Sequence, residues 1–129
     1  MDGTAMNNWP LIAAGSVGCI VAVIHGIAMQ KLMIRPFLSG QGLAQSSRRL
    51  VPLLLHFSTL FWFMGGIALI IVPRLADTSA VVTTSIFVGA TYTFGAIGNF
   101  WGTNGKHPGW LLLAVSVALI VYGTLPLVS

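Results

Sequence analysis

Charge is what this sequence has least of. Only 6% of its 129 residues are charged, and the acids are Asp2 and Asp77 alone, whereas a soluble domain carries about a quarter. With no acid inside a long apolar run, no buried carboxylate is available as proton carrier, general acid or nucleophile. Cys19 is the single cysteine, which excludes an intramolecular disulfide and any CxxC pair. Lying within an apolar run, it reads as a small hydrophobe. Glycine-rich phosphate loops are missing. Ser58 is two residues from His56, a spacing that turns it away on a helix, so no nucleophilic triad assembles. The chain is expected not to be an enzyme.

What is present in abundance is apolar residue, 56% of the chain. That is too much for a water-facing surface and implies an integral membrane protein of one transmembrane domain, residues 1–129. Residues 50–73 run for 24 positions between Arg49 and Arg74 without an ionised side chain, enough to cross a hydrocarbon core of roughly 30 Å. Three further spans are expected at about 9–34, 80–102 and 107–125. The polar start, MDGTAMNN, followed by an apolar run of about twenty residues, reads as the approach to a transmembrane helix and not as a cleaved signal peptide.

Punctuation sets the expected boundaries. Pro10, Pro52 and Pro108 suit first helical turns, and Pro36, Pro73 and Pro126 suit helix ends. Residues 37–49 read as an exposed loop with Ser46 or Ser47 capping the second span, and the TNGK of residues 103–106 reads as a turn. Lys31, Arg35, Arg48, Arg49 and Lys106 fall at one end of the spans and Arg74 at the other. The positive-inside rule then makes the cation-rich loops cytoplasmic and both termini non-cytoplasmic. Trp9 and Tyr122 would mark the outer interface, and Trp101 and Trp110 the inner one. The expected fold is all-α, four transmembrane helices in an antiparallel bundle.

Two sets of small residues mark faces where another helix can approach closely: Ala14, Gly18, Ala22 and Gly26 on the first span, and Gly98 with Gly102 on the third. The third span is also the most polar, with its threonines and Asn99 suited to bonding their own helix or a neighbour.

His25 lies six residues before Lys31 and His56 seven after Arg49, so both sit roughly 10 Å inside the same end at 1.5 Å per residue. Asn99 comes to a similar depth and His107 to the surface itself. Three chemistries fit such a set. In the first, the histidines join Gln30, Thr59, Asn99 and His107 in a structural polar network. In the second, His25 and His56 are the axial ligands of a b-type haem. The third is a soft metal site of His25, Met29 and His56 with copper(I) as guest. The structural network ranks first, because two histidines without a spacing motif are weak evidence of chemistry. The aromatic run Phe57, Phe61, Trp62 and Phe63 reads as packing, with the Trp62 indole N–H in need of an acceptor.

The segments HGIAMQKLMIRP, LHFSTLFW and KHPGW together resemble a group of small four-helix bacterial membrane proteins to which no activity is assigned. In that group a Glu stands five residues after the first histidine and a Trp precedes the second; Gln30 and Leu55 stand at those positions here. The resemblance implies a bacterial inner-membrane location. Small multidrug exporters are similar in length and span count, but they depend on a glutamate in the first span that this chain lacks. Fluoride channels are similar too, yet the FST of residues 57–59 lacks their glycine-rich approach. The expected role is structural or accessory, with the lipid bilayer and either further copies or a larger membrane complex as partners, and no nucleic acid. A small transporter or channel, built on the polar third span, is the remaining alternative.

Overall fold

The computed structural model describes residues 8–129, and every regular element among them is helical. Asp2 and most of the polar start lie outside the described residues. Helix α1 (Trp9–Met29) passes through one π turn (Gln30–Ile34) into α2 (Arg35–Ser39), making one continuous rod. Helix α3 spans Gln45–Leu75, α4 Thr78–Gly102 and α5 Gly109–Val128. The rod, α3, α4 and α5 are the four helices long and apolar enough to cross a membrane, the architecture of an integral membrane protein.

Several boundaries differ from expectation, each for a local reason. The first span does not stop at Pro36. The widened turn, in which Arg35 N–H donates to the Gln30 carbonyl, spreads the backbone just ahead of the proline and lets helix resume through Ser39. The connection to α3 therefore shrinks to residues 40–44. Arg48 replaces a serine cap in tying this corner: its guanidinium donates to the carbonyls of Leu38 (2.8 Å) and Gly40 (2.7 Å), acceptors that the end of α2 leaves without helical partners. Ala44 holds the N-cap position of α3 without a side-chain cap, so neither Ser46 nor Ser47 takes that role. Pro52 and Pro73 both lie inside α3. The Pro73 carbonyl accepts from Asn8 Nδ2 at 3.1 Å. At the next start, Asp77 accepts from the Ala80 N–H at 2.8 Å, an N-cap bond. Pro108 takes the N-cap position of α5 and Pro126 lies within that helix. The TNGK turn forms with Asn104 and Gly105 at positive φ, and Trp110 Nε1 donates across it to the Gly105 carbonyl at 3.2 Å.

The core runs along α1. Leu11, Ala14, Val21 and Ala22 pack with Trp62 and Leu69 of α3, Val81, Val88 and Tyr92 of α4, and Leu113 and Ile120 of α5. The start of α1 meets the end of α3 at Asn8 and Pro73, the middles meet at Gly15 and Gly66, and Gly26 meets Thr59. Glycine is required at the middle contact: a Cβ on Gly66 would lie 2.6 Å from the Gly15 carbonyl and 2.7 Å from Cys19 Sγ, and one on Gly15 would strike the Gly66 carbonyl. The first-span stripe is absorbed inside the chain. A side chain on Gly18 would collide with the Tyr92 ring and hydroxyl, and one on Gly26 would lie 2.9 Å from the Thr59 methyl. Gly98 and Gly102 behave differently, since a side chain at either meets nothing within 4 Å among the described residues.

Candidate functional site

The helix ends near the 40–44 and 103–106 turns hold the polar residues singled out by the sequence, and the structure divides them into two groups. The first is a pair. His56, on an exposed position of α3, donates from Nε2 to Gln30 Oε1 at 3.0 Å. Gln30 opens the π turn, so the local unwinding before Pro36 also positions its amide.

The second group surrounds a cavity of about 90 Å³ lined by residues of all four spans. His25 and Ile24 come from α1, Trp62 from α3, Asn99 from α4, and His107, Pro108 and Leu112 from the start of α5. The His25 ring lies against the Trp62 indole with centroids 4.5 Å apart and planes at 48°. Its Nε2 is buried and has no hydrogen-bond partner among the described residues. Asn99 turns its amide nitrogen to the Gly95 carbonyl at 2.9 Å, which leaves Oδ1 free to accept. The His107 Nδ1 accepts from the Gly109 backbone N–H at 3.1 Å. A neutral imidazole that accepts at Nδ1 carries its proton on Nε2, so His107 offers a donor.

His56 does not line this cavity. Haem or copper ligation would call on both His25 and His56, and the His56 Nε2 is engaged by Gln30. Met29 is buried. Among the described residues, no three His, Cys, Asp or Glu side chains are grouped so as to hold a metal ion. Thr59 bonds neither histidine; its Oγ1 is buried without a partner and its methyl faces Gly26.

Trp62 has a structural role that the sequence did not disclose. Its backbone carbonyl accepts the Tyr92 hydroxyl at 2.8 Å in the middle of the core. Its ring closes the deep end of the cavity and also fills the space above Gly95. Its neighbours Phe57 and Phe61 pack with tilted rings at a centroid distance of 5.4 Å, and Phe61 does so with Phe87 at 5.7 Å. Hydroxyls on α4 turn to their own helix: Thr91 donates to the Val88 carbonyl and Thr93 to that of Gly89, both at 2.8 Å. Ser85 and Ser116 are buried with hydroxyls that have no partner among the described residues, a feature with no sequence signal beyond their position in apolar runs. No protein-family model, curated protein or solved structure matches this chain.

Proposed function

We propose that this chain is a small, non-enzymatic membrane protein with a structural or accessory role, which associates laterally with further copies of itself or with a larger membrane partner. Its four spans form an antiparallel bundle with both termini on the non-cytoplasmic side of a bacterial inner membrane; the cation count at the loops supports that orientation. The observation that carries the association reading is the outer face of α4. Phe94, Gly98, Trp101 and Gly102 share one side of this helix by their spacing. The two glycines are open, and the aromatic residues are 81% and 82% exposed. A flat patch between large apolar side chains is the shape that lets a second helix come close in lipid, where association depends on packing and not on hydrophobic burial.

The test is a paired replacement, Gly98→Leu with Gly102→Leu, read by single-molecule photobleaching of the labelled protein in lipid nanodiscs or native membranes. Loss of multi-copy particles is expected. A copy-number distribution equal to that of the parent chain would overturn self-association through α4.

A further inference from the structure

We infer that the cavity between His25, Asn99 and His107 is a water-binding site, which hydrates the His25 imidazole from the end of the bundle that carries the 103–106 turn. Its chemistry selects the ligand. A bound water needs two to four polar partners and roughly 10–15 Å³ of space for its centre. The cavity supplies about 90 Å³, and its lining residues carry a mixed set of partners: the orphaned His25 Nε2, the free Asn99 Oδ1 and the His107 Nε2–H donor.

The same set is poorly suited to a metal cation. The His107 lone pair on Nδ1 is committed to the Gly109 N–H, and its other nitrogen is protonated. Only one imidazole nitrogen and one amide oxygen remain as lone-pair donors, fewer than the three or four protein ligands that Zn²⁺ sites use. An apolar guest is disfavoured as well, because it would leave the buried His25 nitrogen without a partner.

The walls give the site a direction. Trp62 and Val21, both buried, line its inner side, the exposed Ile24 and Leu112 its lipid-facing side, and the half-buried His107 and exposed Pro108 the side beside the turn. The polar way in to His25 is therefore past His107. The titratable groups near enough to act on His25 are His107 at the start of α5 and His56 on α3; α4 contributes only the neutral Asn99 to the lining.

The experiment uses the full chain in lipid nanodiscs with ¹⁵N-labelled histidine and water-selective magnetisation transfer. His25 is expected to receive magnetisation from water. In His107→Phe, transfer to His25 should fall several-fold with His56 unchanged. Should that variant lose the His56 signal through misfolding, Asn99→Leu is read by the same criterion. No transfer to His25 in the parent chain, or equal transfer in the folded variant, overturns the site. One equivalent of Zn²⁺ or copper(I) should leave the ring signals in place; a joint shift of His25 and His107 would overturn the water assignment in favour of a metal.

Discussion

The two small-residue faces of this protein have the same spacing and opposite fates. On α1, the Ala14, Gly18, Ala22 and Gly26 stripe is filled from within the chain, Gly18 by the Tyr92 ring and Gly26 by Thr59. On α4, Gly98 and Gly102 meet nothing among the described residues. A small residue every fourth position states only that a close approach is permitted. Which face receives a partner from its own chain depends on the helices beside it. α1 contacts both α3 and α5, and Tyr92 of α4 reaches Gly18 as well. The outward side of α4 has no such neighbour. Self-association is accordingly better sought on α4 than on the α1 stripe.

Substitutions can break this comparison at either end. The largest effect is expected at the α1–α3 crossing. Gly66→Leu drives four carbons into the Gly15 carbonyl and Cys19 Sγ, and should cost about 3 kcal/mol or more by the overpacking rule. Unfolding by steric trapping in bicelles measures it, and a stable variant would mean that the helices do not cross there. Next comes Gly18→Ala, whose new methyl meets the Tyr92 hydroxyl; a loss of about 1–3 kcal/mol is expected. Adding Tyr92→Phe should restore only a small part of that loss, because it removes the nearest clashing atom but leaves ring carbons 2.6–2.7 Å from the new methyl and gives up a bond to the Trp62 carbonyl that is worth about 1 kcal/mol in membranes. Strict additivity in the double-mutant cycle would show that the two residues do not touch.

Smaller effects sharpen the contrast. Gln30→Leu removes the exposed His56 bond and should lower stability by less than about 1 kcal/mol, with the His56 ring nitrogen shift in NMR changing as the direct sign of the lost acceptor. Smallest of all, Gly98→Leu with Gly102→Leu should leave the unfolding free energy of the single chain within about 0.5 kcal/mol, as for a surface change. A loss comparable to that at Gly18 would show that the α4 face is packed inside the chain after all.

Much of the fold was legible because helix-forming apolar runs and their breaks are local signals. The four spans, the TNGK turn and the proximity of His25, Asn99 and His107 to one end all follow from counting residues at 1.5 Å each. The misplaced boundaries share one cause. Pro36, Pro73 and Pro126 suit helix ends and Pro52 a first turn, yet all four lie within helices; at Pro36 the missing N–H is accommodated by the π turn just before it. The Gly15–Gly66 crossing was not legible, although the Gly65–Gly66 pair in an apolar span was its available signal.

The candidate site shows the same division. Depth along each helix placed His25 and His56 at one level, and that followed from sequence. Azimuth did not. His56 faces Gln30 on an exposed side and His25 faces Trp62 and the cavity, and the difference arises from how α1 and α3 rotate against each other once Gly15 meets Gly66. By itself, the sequence determined that the chain is helical, apolar and able to cross a membrane four times, because hydrophobic length and scarcity of charge act residue by residue. The tertiary structure alone decided which small residues are filled, which histidine nitrogen is left without a partner, and which helix face stays open. Those outcomes depend on side chains that lie far apart in the chain and meet only when the helices pack.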